Sequence, residues 1–107
     1  MLVGCSRSGE SVRGIAPAAS AVSMVKSVHE AIKLQPTERV TVEGEMVEKC
    51  PTAGCWFKLR DRTGIVLVDT KVAGFVVSDL PLHTHILVEG HTMVGAEATV
   101  AATGIRY

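Results

Sequence analysis

The sequence predicts a mainly β domain, with five short strands curled into a small barrel and one α-helix ahead of them. Three observations carry this expectation. Turn-forming residues recur about every eight to twelve positions from residue 39 onward, and the segments between them alternate or run apolar at strand length. A single stretch, residues 20–34, shows instead the period of an amphipathic helix. The 107 residues are 47% hydrophobic with a mean hydropathy of +0.29, enough for one modest core, yet only 4% are aromatic, so aliphatic side chains must fill it.

Residues 1–17 read as a flexible arm or lipoprotein-type tether, ahead of a domain spanning residues 18–107. Leu2-Val3-Gly4-Cys5 has the form of a bacterial lipobox, in which Cys5 is the lipidation candidate. No basic and apolar stretch precedes it, so lipidation requires a true start upstream of Met1. With Met1 as the true start, the expected compartment is the cytoplasm. Residues 6–17 are rich in Ser, Gly and Ala and have the composition of a tether. In residues 20–34, Ala21, Met24, Val25, Val28, Ala31 and Ile32 fall on one stripe, Ser20 is placed to cap the N-terminus, and Pro36 stops the helix. Such a helix is read as the cover of one open end of the barrel, with partner binding as the alternative.

The first strand, residues 39–50, sends Val40, Val42, Met46 and Cys50 inward and Thr41, Glu43, Glu45 and Lys49 outward, with Gly44 as a bulge or sharp bend. Pro51-Thr52-Ala53-Gly54 supplies the turn. The return strand, residues 55–61, sets Cys55, Phe57 and Leu59 on one face and Trp56, Lys58 and Arg60 on the other. Arg62-Thr63-Gly64 turns into a third strand at residues 65–69, followed by a less regular 71–77 and a connector at Ser78-Asp79-Leu80-Pro81. Residues 85–93 and 97–107 complete the set. Val42-Glu43-Gly44 recurs as Val88-Glu89-Gly90, which reads as two strands of a curved sheet bending at equivalent places.

Three strands, a connector and two strands, with strand glycines at Gly44 and Gly90, resemble the OB-fold. More narrowly, the segment with Cys50, Cys55, Trp56, Asp61 and Gly64 is similar to a family of small, largely uncharacterised bacterial OB-fold domains marked by Cys-x4-Cys-Trp and an Asp-x-x-Gly turn. That resemblance implies a barrel that is exported or lipid-anchored, in the periplasm or on the outer face of a membrane. It implies no particular reaction.

Eleven basic and eleven acidic residues cancel, which argues against nucleic acid as the default partner. No run approaches the roughly 18 apolar residues of a transmembrane helix. Cys50 and Cys55 end the two strands of one hairpin, and three states fit them: a disulfide stapling the turn, structural thiols, or a metal site. In the last case His83, His85 or His91 would join the thiolates, a soft ligand set suited to zinc or cuprous copper. Trp56 beside Lys58 and Arg60 marks the outer face of the second and third strands, where OB-folds bind oligonucleotides and oligosaccharides. The same tryptophan also fits a packing role under the helix. No nucleophile elbow, phosphate loop or metalloprotease helix is present in the sequence. The expectation is therefore a non-catalytic binding or accessory module with a protein partner, working within a membrane-associated assembly. A single-stranded oligonucleotide-binding domain and a small metal or redox protein are the alternatives.

Overall fold

A computed structural model of the chain describes residues 11–17, 27–31, 33, 38–52, 54–93 and 99–107. They form β1 (Val12–Gly14), α1 (Val28–Ala31), β2 (Arg39–Lys49), β3 (Trp56–Asp61), β4 (Gly64–Asp69), β5 (His85–Met93) and β6 (Thr99–Arg106). β2 to β6 are the five expected strands. They close into a circuit in which β2 pairs with β3, β3 with β4, β4 with β6, β6 with β5, and β5 with β2 again. Every pairing in the circuit is antiparallel except β4 with β6, which runs parallel through Leu67↔Thr99, Val68↔Val100 and Asp69↔Ala101. This is the five-stranded OB-type barrel expected from the sequence.

The interior is aliphatic, as the composition requires. Val42, Met46, Leu59, Val68, Ile86, Val88 and Ile105 are 0% exposed, and Phe57 is the one aromatic ring fully buried among them. Burying such side chains contributes about 1.5–3 kcal/mol each relative to exposure, before the cost of ordering them. Helix is a minor component. The described turn of α1 adds Val28 and Ala31 to the core, so it does cover one end of the barrel. It opens on a reciprocal cap: Ser27 Oγ accepts from the Glu30 amide at 3.1 Å and Glu30 Oε1 accepts from the Ser27 amide at 3.2 Å. The expected cap at Ser20, and the stripe positions Ala21, Met24, Val25 and Ile32, lie outside the described residues.

Closing so small a barrel forces the long strands to bend. β2 pairs with β5 from Arg39 to Glu45 and with β3 from Glu45 to Lys49, so it changes neighbours beside Gly44. A Cβ on Gly44 would lie 2.3 Å from the Arg60 carbonyl oxygen, and one on Gly90 would lie 2.1 Å from the Ala101 carbonyl oxygen. The two echoed Val-Glu-Gly segments are thus both places of close backbone approach. The bulge itself sits elsewhere, at Val47, where the register steps from Met46↔Leu59 to Glu48↔Lys58. That extra residue reverses the alternation expected for the end of the strand. Glu48 then opposes outward Lys58, and Lys49 opposes buried Phe57. Lys49 Nζ reaches over the barrel end to donate to the carbonyls of Ser78 and Leu80.

β1 falls in the stretch read from the sequence as a loose arm. It pairs antiparallel with β6 through Val12↔Arg106, Arg13↔Ile105 and Gly14↔Gly104, and Ser11 and Tyr107 exchange backbone hydrogen bonds beyond it. Three residues carry no readable alternation, so only this long-range partner defines the strand. Arg13 fixes it in place. Its guanidinium donates to both Asp79 oxygens at 2.6 and 2.8 Å, to the Val76 carbonyl at 2.8 Å and to the Tyr107 hydroxyl at 2.8 Å, with the Tyr107 ring beneath it.

Gly90→Ala should destabilise the barrel by about 1–3 kcal/mol or more, because the obstructing atoms are backbone and cannot swing aside. Gly64→Ala, whose Cβ would meet only Val28 Cγ1 at 3.5 Å, should change the urea midpoint little by comparison. A second expectation concerns pH. The Arg13 hydrogen bonds pull Asp79 down to about 2, below the ordinary carboxylate value near 3.9. A depressed carboxylate contributes stability that is complete above the unfolded pKa and lost as pH falls through the folded one. The protection of β1 amides, taken relative to their intrinsic exchange rates at each pH, should therefore fall between about pH 4 and pH 2 in the native chain, whereas in Asp79→Asn that step should be missing.

Candidate functional site

Strand alternation at β3 buries Phe57 and Leu59 and leaves Trp56, Lys58 and Arg60 on the outer face, as the sequence predicts. The register supplies their neighbours. On β4, Asp69 lies opposite Trp56, Leu67 opposite Lys58 and Ile65 opposite Arg60; on β2, Glu48 lies opposite Lys58 and Glu45 opposite Arg60. Trp56, Lys58, Leu67, Asp69 and Lys71 together line an open groove of about 350 Å³. Trp56 is half-buried, and among the described residues its indole N–H finds no acceptor. The outer side of β5 is different: Leu87 and Glu89 are only 5% and 8% exposed there. The open part of the sheet is therefore the β3–β4 side.

Each cation on this face has a carboxylate at hand. Lys58 Nζ stands 3.7 Å from Glu48, and Lys71 Nζ stands 4.0 Å from Asp69, which also accepts the Lys71 amide at 2.8 Å. Such loose, partly exposed pairs contribute about 0–1 kcal/mol. Arg60 behaves differently. It donates to Glu45 at 2.8 Å, and the other oxygen of Glu45 meets His83 Nδ1 at 2.8 Å. The Arg60 hydrogen bond, then that of His83, holds the Glu45 carboxyl below its ordinary range. Arg60 thereby belongs to a second hollow of about 700 Å³, lined by Glu43, Glu45, Asp61, Thr63 and His85 among others. The sequence-predicted trio is divided: Trp56 and Lys58 share the groove, and Arg60 faces the neighbouring hollow.

The second hollow is a network already satisfied from within. His85 Nε2 contacts Glu43 at 2.7 Å. Asp61 accepts from the Val28 amide at 2.8 Å, the Thr63 amide at 2.7 Å, the Thr63 hydroxyl at 2.6 Å and the Gly64 amide at 3.2 Å. Burial pushes the Asp61 carboxyl upward, but these four donors outweigh it and leave the group below its ordinary range. Asp61 thus ties the first turn of α1 to the β3–β4 turn, a role for the Asp-x-x-Gly segment that is structural.

Cys50 leaves the face that unbroken strand alternation assigns to it. The Val47 bulge places Cys50 opposite Trp56, whose carbonyl accepts the Cys50 amide at 3.0 Å, while Cys55 precedes β3 and its carbonyl accepts from Thr70 at 2.9 Å. The two half-buried thiols are not joined in a disulfide. The Cys50 sulfur lies 3.5 Å from the Thr52 hydroxyl. His83 and His85 are engaged with glutamates, and His91 pairs with Arg39 and Ala101 toward the far end of β5. Among the described residues no three His, Cys, Asp or Glu side chains are grouped to hold a metal ion. Cys5 lies outside the described residues. Sequence reasoning passed over Leu67, Asp69 and Lys71, although the strand register that brings them to Trp56 follows from the short Arg62-Thr63-Gly64 turn.

No family model and no curated protein matches the chain. Among solved structures, that of the hypothetical protein ygiW from E. coli is similar, with a TM-score of 0.60 at 17% identity over 78% of this chain and 89% of that one. At that identity the likeness is one of fold.

With Cys50 facing Trp56 across the hairpin, the register predicts that Cys50 and Cys55 remain thiols. Protein purified without reductant and unfolded in denaturant should show both Cys50 and Cys55 as titratable thiols, whether or not Cys5 is lipidated. A count lower by one pair, restored by reductant, would reveal a hairpin disulfide instead.

Proposed function

We propose that this chain is a non-catalytic binding module working outside the bacterial cytoplasm, as an accessory component at a membrane surface, and that its contact surface is the outer face of β3 and β4 around Trp56. The observation that carries this reading is the open groove beside a half-buried tryptophan on the uncovered side of the barrel. OB barrels use this face for their ligands. Absence of a catalytic role accords with the larger hollow, where Glu43, Glu45 and Asp61 are each engaged with histidine, arginine or backbone partners. The extracytoplasmic half of the proposal rests on the lipobox-like Leu2-Val3-Gly4-Cys5.

The test is amide and indole mapping by NMR during addition of a cell-envelope extract. Broadening should concentrate on Trp56, Lys58, Leu67 and Lys71, and should be lost in the double variant Trp56→Ala, Lys58→Glu. Perturbation confined to β5 and β6, or an unchanged response in the variant, would place the contact surface elsewhere.

A further inference from the structure

We propose that the Trp56 groove is a carbohydrate subsite, taking the face of a neutral sugar ring on the indole while the flanking charged side chains hydrogen-bond the ring hydroxyls. The proposal rests on the reading of this face as the contact surface and names its ligand class. A hydroxyl is donor and acceptor at once, so it is best recognised where both kinds of partner stand beside one another. The groove offers that pairing: Asp69 presents carboxylate oxygens, and Lys58 and Lys71 present ammonium donors, around Trp56 and the apolar patch of Leu67. The part of the half-buried indole that lines the groove supplies a flat, weakly hydrated platform on which the C–H side of a sugar ring can rest, and the indole N–H adds a donor. The volume of about 350 Å³ lies at the lower end of small-molecule sites, and the groove is open, so further rings of a chain can extend beyond it.

Charge and topology weigh against the other occupants of such a face. A nucleic acid needs unopposed cations and several stacking rings in a row. Here the groove's lysines stand 3.7 and 4.0 Å from Glu48 and Asp69, the chain has no net charge, and Trp56 is its only tryptophan. An extended peptide would add to a free strand edge, but β3 lies between β2 and β4, and β4 is paired on both sides along Leu67 to Asp69. A wholly apolar ligand would leave Asp69 and both lysines desolvated and poorly paired, at a cost to affinity.

The single tryptophan reports directly on the site. Cellotetraose, chitotetraose and maltotetraose are titrated to millimolar concentration against the intact chain, with oligothymidylate in parallel. At least one sugar should give a saturable shift in Trp56 emission whose midpoint is unchanged by added salt, since no counterions are released on binding a neutral ligand. Measured by NMR or calorimetry, Trp56→Ala should weaken that binding by about tenfold or more, the scale of losing a stacking platform. Lys71→Ala, at an exposed position where the sheet does not depend on the side chain, should weaken it as well. A flat response to all the sugars, or a salt-sensitive response to oligothymidylate alone, overturns the assignment. Should the sugars fail while envelope extract still perturbs Trp56, only the ligand class falls and the binding module stands.

Discussion

The barrel depends on the bend in β2. One strand of eleven residues must serve two neighbours that diverge, β5 along its first half and β3 along its second. That is feasible because the backbone of Arg60 comes so close to Gly44 that any side chain there would be excluded. Gly90 meets the same requirement on β5, where it admits the backbone of β6. Everything else inherits this geometry. The outward position of Trp56 follows from the β3 register, which follows from where β2 turns to meet it.

The ends of the barrel are held by single polar side chains with several partners each, a compact solution for a chain with few aromatic residues. Asp61 gathers four donors and joins α1 to the β3–β4 turn. At the other end Lys49 takes two carbonyls of the connector, while Arg13 binds that connector, β1 and the C-terminal tyrosine together. Charge-assisted hydrogen bonds of this kind are about twice as strong as neutral ones. They lie away from the Trp56 groove, so the surface proposed for binding is separate from the machinery that closes the fold.

Much of the architecture was legible because strand alternation is a local signal. The faces of β3 could be assigned residue by residue from Trp56 to Arg60, and the glycine echo located both bends. The Val47 bulge was not legible, since nothing distinguishes Val-Glu-Lys with a bulge from Val-Glu-Lys without one. That single extra residue turns Lys49 and Cys50 to the faces opposite those that unbroken alternation assigns. β1 was hidden for a different reason: Val12-Arg13-Gly14 becomes a strand only because the other end of the chain lies beside it. The cap at Ser27-Val28-His29-Glu30 is legible as a Ser-x-x-Glu capping box, a signal separate from the longer apolar stripe that points to Ser20. Within the candidate site, Trp56 and Lys58 were visible as a pattern, whereas Asp69 and Lys71 emerge only when the turn at residues 61–64 folds β4 back alongside.

The pairing of Ser11 with Tyr107 has a mechanical side. The two ends of the described chain lie next to one another in antiparallel strands, so any pull transmitted through the residues before Ser11 loads the β1–β6 ladder at its terminal rung. Loading of that kind opens hydrogen bonds one after another, as a zipper does, instead of shearing them together. The Arg13 fork sits just inside the first rung and is the first strong tie that the opening would meet. A barrel hung from its N-terminus would thus bear tension on one guanidinium before any of it reached the core or the tryptophan face.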